Sequence, residues 1–213
     1  MNNITFISTV HEEMGKCNAD ELCVILEQVS PEIVFLEALG DTYIDYERDL
    51  LLKSWVYHNK LEIEAIQKYN QSSTFEYVPV LDTELSASFE KKYELVFQNN
   101  QFKTMLDEYN ALASEQGFLF LNSKRSIQLQ DEMRQLEDLL VEDNLIKTFN
   151  EDIEAYENPM MRNIYSYCRN NQFDKAVFLC GVAHRRSIIE KMESFNRKEK
   201  TIINWVIYGD QSI

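Results

Sequence analysis

Glycine and proline are scarce in this chain, five and three among 213 residues. All-β architectures and long ordered loops use more turn residues than that, so neither is expected. Positive charge is short as well. Lys and Arg total 21 against 36 Asp and Glu, a formal net charge of −15. A phosphate backbone or an anionic bilayer would be repelled at long range, which argues against nucleic-acid and membrane partners. The four cysteines, Cys17, Cys23, Cys168 and Cys180, form no C-x-x-C pair, and the Cys17/Cys23 spacing fits no usual zinc motif. A secreted disulfide scaffold would be shorter and richer in cysteine. No apolar run approaches the ~20 residues that span a bilayer. The opening stretch, MNNITFISTVHEEMG, lacks the basic start and long apolar core of a signal peptide. Together these absences predict a cytoplasmic protein.

What is present is a 45% hydrophobic composition, enough for one large domain or one domain with a sizeable insertion. Ile4-Thr5-Phe6-Ile7 reads as a first strand. A helix follows over Ala19 to Val29, capped by Asn18 and stopped at Ser30-Pro31. Ile33-Val34-Phe35-Leu36 reads as a second buried strand. Strand, helix and strand with continuous apolar runs predict a right-handed parallel unit. A third strand is expected over Phe75 to Leu81, a fourth over Ala176 to Cys180 and a fifth over Ile202 to Tyr208. Between them lie helical stripes: Phe102, Met105, Leu106 and Tyr109; Met133, Leu136 and Leu140; Leu145, Ile146, Phe149 and Ile153. These are read as core faces of packed helices. Gly117 should interrupt the first two, and Asn158-Pro159 should mark a boundary before a helix from about Met160 to Arg169. A helix from Arg186 to about Glu193 separates the last two strands. The expected fold class is α/β: a single domain over residues 1–213, with a mostly parallel sheet built from both chain ends and flanked by helices. A large helical insertion over about 41–158 contains the third strand, near 75–81. Its stripes should wall a cleft; stripes left exposed would instead mark a partner or homodimer surface.

Histidine is the rarest polar residue of interest, with three copies. Two stand in matching places. The first strand runs into Ser8-Thr9-Val10-His11, and the fourth into Gly181-Val182-Ala183-His184: a small residue, two more, then histidine. The second strand ends in Glu37 after four apolar residues. In a parallel sheet, ligands bind outside the carboxyl ends of the strands, where all three would meet. Two imidazoles and a carboxylate are a common ligand set for a divalent ion such as Mn²⁺, Zn²⁺ or Co²⁺, which favours hydrolysis by acidifying bound water and polarising a carbonyl. Glu12 and Glu13 are candidate proton carriers. Arg185 and Arg186 could clamp a carboxylate or phosphate, or simply begin a solvated helix. His58 lacks such a context and reads as structural or surface. Glu37 could equally be a buried ion-pair partner, and a single strand-end histidine is often only a satisfied polar residue.

At these residues the chain resembles the TraB/PrgY, GumN and Tiki proteins, which belong with the erythromycin esterase and ChaN-like group. The likeness covers about Ile4 to Leu39 and Met160 to Glu193. It implies an α/β core with a helical insertion and a site made of His11, Glu37, Gly181 and His184, with Arg162 matching an arginine often found in the helix before the fourth strand. Ser8 stands where that group has glycine; if the position needs a positive φ, serine is strained there, and if it needs only a small side chain, serine serves. Activities in the group include metal-dependent proteolysis and ester hydrolysis. The leading expectation is therefore a metal-dependent hydrolase acting on a peptide or small-molecule substrate. The alternative is a non-catalytic protein that sequesters a peptide, haem or another small molecule, an option kept open by tyrosines such as Tyr43 and Tyr46. A third, a helical interaction module, leaves the repeated histidine pattern unexplained.

Overall fold

The computed structural model of the chain describes residues 2–40, 60–84 and 86–210. Tyr43, Tyr46, His58 and the start of the expected insertion lie outside the described residues. Five parallel strands form one sheet in the order β3-β2-β4-β1-β5, with β1 at Asn2–Thr9, β2 at Ile33–Leu39, β3 at Glu76–Leu81, β4 at Lys175–Gly181 and β5 at Ile203–Ile207. The fold is α/β with helices on both faces, as the continuous apolar runs require. The expected strand–helix–strand unit is present, but its strands are not neighbours: β4, from the far end of the chain, inserts between β1 and β2.

Alternating side chains of β1 to β4 feed two cores, and β5 feeds one of them. Ile7, Val34, Leu36, Val177 and Leu179 face helix α1 (Ala19–Val29) and α2 (Leu61–Tyr69). Farther along the same core lie α4 (Asn100–Gln116), the short α5 (Phe118–Leu121) and α6 (Lys124–Leu140). Ile4, Phe6, Phe35, Phe178 and Cys180 face the other way, onto α7 (Asp143–Asn170) and α8 (Arg185–Lys198). A further helix, α3, spans Ala87–Val96. The chain leaves β1 through α1 towards β2 on one face, and leaves β4 through α8 towards β5 on the other. Connections that depart from adjacent strands in opposite directions open a crevice at the strands' carboxyl ends. Here that crevice lies over β1 and β4.

Local signals explain the element ends. Asn18 Oδ1 accepts the Glu21 N–H at 2.9 Å and caps α1, while Ser30, at φ 52°, ends it in a left-handed turn. Gly117, at φ 67°, separates α4 from α5. The boundary expected at Asn158-Pro159 is absent: α7 runs through Pro159, which is buried inside the helix. Proline removes one backbone hydrogen bond from a helix interior, a loss that burial of the flanking Tyr156, Met160 and Met161 outweighs. Of the helical stripes, Phe102, Tyr109 and Met133 are buried, Leu140 is exposed and the others are half-buried.

Pairing of β1 with β5 ends at Phe6 and Ile207, which leaves the backbone of Ser8 without a strand partner on that side. Asn122, just after α5, supplies one. Its Oδ1 accepts the Ser8 N–H at 2.8 Å and its Nδ2 donates to the Ser8 carbonyl at 3.0 Å. Arg185 braces this contact from the start of α8, donating to Asn122 Oδ1 at 2.8 Å, the Asn122 carbonyl at 2.6 Å and the Ser8 hydroxyl at 3.2 Å. Ser30 is the only described non-glycine residue at positive φ, so Ser8 stands there as a small buried side chain without backbone strain.

Candidate active site

The crevice brings His11, Glu37 and His184 together. Gly181 marks their meeting point. A Cβ at position 181 would lie 3.3 Å from Glu37 Oε2 and 3.4 Å from His11 Nε2, closer than side chains normally pack. Gly181 itself has φ −54°, so glycine serves this close approach and no unusual backbone conformation. Its N–H donates to Glu37 Oε2 at 2.6 Å.

Each imidazole is held from behind by a buried carboxylate that sequence reading missed. His11 Nδ1 lies 3.1 Å from Oε1 of Glu62, on α2, which also accepts the Thr9 hydroxyl at 2.6 Å. His184 Nδ1 lies 2.7 Å from Oε1 of Glu157, on α7, whose other oxygen accepts the Ser187 hydroxyl. A carboxylate accepts, so both Nδ1 atoms carry the proton and both rings turn Nε2 inward. His184 Nε2 lies 3.6 Å from Glu37 Oε1. The two rings differ in exposure. His184 is buried, whereas half of the His11 side chain reaches solvent.

Glu37 is the hub of the site. Its Oε1 accepts the Tyr156 hydroxyl at 2.8 Å, and the Tyr156 ring stacks on His184 with centroids 5.4 Å apart. Burial pushes the Glu37 carboxyl up, but His184, the Gly181 N–H, the Cys180 thiol and His11 outweigh it and hold it below the usual carboxylate range. Glu37 is therefore an anion facing two imidazoles. Burial, and then Glu37 itself, push the Tyr156 phenol and the Cys180 thiol upward, so both stay protonated and donate to it.

His11 is shifted up from 6.5, chiefly by its hydrogen bond to Glu62, with the charges of Glu62 and Glu37 adding to the effect; burial and Lys60 oppose them. Glu62→Gln keeps an acceptor but removes the charge. The His11 titration, followed by its ring proton resonances, is expected to move to lower pH in that variant. The same linkage has a stability sign. A raised folded-state value stabilises the fold below the unfolded value, and this contribution is lost as pH rises through the folded one. Glu62→Gln should therefore lose stability at acid pH relative to neutral, read from denaturant midpoints at both.

The other sequence-derived candidates fall elsewhere. Glu12 is exposed. Glu13 Oε1 instead accepts the Ala19 N–H at 2.9 Å, at the start of α1. Arg162 is exposed on α7. Arg185, expected to hold substrate, is fully buried and committed to Ser8, Asn122 and Tyr208. Burial of a guanidinium is tolerated only with such a set of acceptors.

The chain matches no family model, no curated protein and no solved structure. The side chains alone carry the functional assignment. As a metal site they fit in part. Two ligands of one tetrahedral ion sit about 3.4 Å apart, close to the 3.6 Å between His184 Nε2 and Glu37 Oε1. Imidazoles backed by carboxylates are also common around metals. Against this, both Glu37 oxygens already accept short hydrogen bonds. Among the described residues, no group of three His, Cys, Asp or Glu side chains is disposed to hold a metal ion.

A cavity of about 510 Å³ adjoins the site, walled by α3, α4, α6, α7 and the turn that carries His184. His11, Glu37 and Glu62 line a separate, much smaller hollow. Among the described residues, no helix is long and apolar enough to cross a membrane.

Proposed function

We propose that the crevice is the active site of a hydrolase for ester or amide bonds, with His11 as the group that takes a proton from water. One observation carries this reading: His11 is a half-exposed imidazole whose Nδ1 is fixed by a buried carboxylate and whose Nε2 turns to the cleft. That is the arrangement of a general base with an orienting partner. Among the described residues, the hydrogen bonds of His11 include no serine, threonine or cysteine side chain, so water is the nucleophile. Glu37 faces both imidazoles and favours the cationic form that His11 gains on accepting the proton. His184, fixed by Glu157, lies across Glu37 and is the second proton-holding group. The resemblance to the TraB/PrgY, GumN and Tiki proteins is part of this proposal, as is a cytoplasmic location; the four free cysteines suit a reducing compartment.

A divalent ion held by His11, Glu37 and His184 would supply an acidified water in place of the free base. The carboxylate-backed rings favour that alternative, and the doubly engaged Glu37 disfavours it. The test is hydrolysis of p-nitrophenyl acetate and of a peptide anilide by the full chain. It is run with a chelator, then with added Mn²⁺, Zn²⁺ or Co²⁺, and with His11→Ala. Hydrolysis that depends on His11 and ignores the chelator is the expected result. Loss on chelation with recovery on metal addition would move the assignment to the metal reading. Hydrolysis indifferent to His11 would sink both and leave a binding protein, for which the adjoining cavity is the ligand site.

A further inference from the structure

The cavity beside His184 has a lining more specific than its size. Its walls carry Tyr93, Phe97, Phe102 and Phe149, an apolar and aromatic surface. A volume of about 510 Å³ lies within the range of small-molecule sites. His184, Ser187 and Glu157 stand at one side, so whatever fills the cavity meets His184.

Two polar features decide which chemistry it accepts. Gln130 is 8% exposed and lines the cavity. Its Nε2 donates to the Tyr109 hydroxyl at 2.9 Å, which pairs with Ser126 at 2.7 Å, so the amide is anchored on that side. Its Oε1 has no partner. A buried acceptor left unpaired is destabilising, and a ligand donor would offset that cost. The second feature is the state of the cations. Lys92 is buried on Glu137 at 2.6 Å and lies over the Phe149 ring, while Arg134 is held by the Ala183 carbonyl at 2.5 Å and by Asp131. Both described cationic side chains of the lining are thus already engaged. Four carboxylates, Glu137, Asp138, Glu154 and Glu157, line it too. An anionic ligand would find no counter-charge to offset its desolvation.

Resting on the hydrolase reading above, we infer that this cavity binds the apolar portion of the substrate, an uncharged or cationic amphipathic amide or ester. Such a substrate carries an aromatic or branched aliphatic group between the cavity's rings. It also carries an N–H or O–H donor for Gln130. Free fatty acids and other carboxylates with the same apolar body are rejected.

The test is direct binding to the full chain, followed by calorimetry and by ligand-observed NMR, with three probes. N-acetyl-phenylalaninamide has the ring and the N–H donors without charge, N-acetyl-phenylalanine adds a carboxylate, and N-acetylglycinamide lacks the ring. The first should bind at least tenfold more tightly than the other two. Gln130→Met should weaken it about tenfold. Ile153→Trp, which fills the cavity while leaving the Tyr109 network untouched, should abolish it, so a folding defect in the first variant does not decide the matter. His11→Ala should leave binding unchanged. Equal affinity for the amide and the carboxylate, or binding indifferent to Ile153→Trp, would overturn the inference. The two readings fail separately. Turnover of p-nitrophenyl acetate through His11 without amide binding rejects this inference alone. Amide binding lost in Ile153→Trp, in a protein without turnover, supports the cavity and rejects the hydrolase.

Discussion

His11→Ala is expected to lower kcat by roughly 10²–10⁴-fold, the usual contribution of a positioned proton-transfer group, while leaving the unfolding midpoint nearly unchanged. The two halves of this expectation have separate causes. The rate falls because no other described group offers a neutral nitrogen to the cleft with its partner nitrogen already anchored. His184 is similarly built, but it is buried and faces Glu37 and Glu157 with its two nitrogens. Stability is largely spared because half of the His11 side chain is solvated, so water can take its place against Glu62, which keeps the Thr9 hydroxyl. The pH profile supplies a second check. A base works deprotonated, and Glu62 holds the His11 value above 6.5. The acid limb of kcat/KM should therefore lie above 6.5 in the wild type and move to lower pH in Glu62→Gln. A rate within a fewfold of wild type in His11→Ala, or an acid limb indifferent to Glu62, would remove His11 from the chemistry.

The repeated strand-end pattern brings His11, Glu37 and His184 together because a parallel sheet fixes where strand ends go. A small residue at the end of a buried run, with histidine three places later, delivers an imidazole to the crevice whether the run is β1 or β4. The glutamate ending β2 belongs there for the same reason. Glu62 and Glu157 were not legible by that logic. They come from helices, where a lone carboxylate among apolar residues looks like a surface charge until tertiary packing buries it. Glu157 was further hidden by Asn158-Pro159, which read as a break although α7 continues through it. Tyr156, one residue earlier, was lost with it. Strand order was equally out of reach. Local pattern predicted a β1-α1-β2 unit, and only long-range pairing placed β4 between those strands. Arg185 shows the opposite failure. Next to His184 and in an acidic chain it looked available to an anion, but α8 begins at that residue and turns the side chain into the core.

Arg185→Ala should accordingly act as a folding mutation and lower stability by roughly 3–5 kcal/mol, a large share of the ~5–15 kcal/mol that holds a domain together. The guanidinium is fully buried, and burial lowers its titration to about 10, so it remains a cation at neutral pH. It is stabilised there by hydrogen bonds to the Asn122 carbonyl at 2.6 Å, Asn122 Oδ1 at 2.8 Å and the Tyr208 carbonyl at 3.2 Å, and its plane lies over Phe6. Alanine would leave the buried Asn122 carbonyl and the half-buried Tyr208 carbonyl without these donors and open a cavity of several methylenes. Asn122 would also lose the brace that lets it act as the missing strand partner of Ser8. Because β1 leads from Ser8 to His11 and the turn after β4 leads through His184 into Arg185, both histidines should lose their alignment together. The melting temperature is expected to fall by roughly 6–20 °C, at 2–4 °C per kcal/mol for a chain of this size. Arg185→Lys should be intermediate, since one ammonium cannot span acceptors set for a planar fork. A melting temperature within a degree or two of wild type in Arg185→Ala would mean that Asn122 holds the strand end unaided.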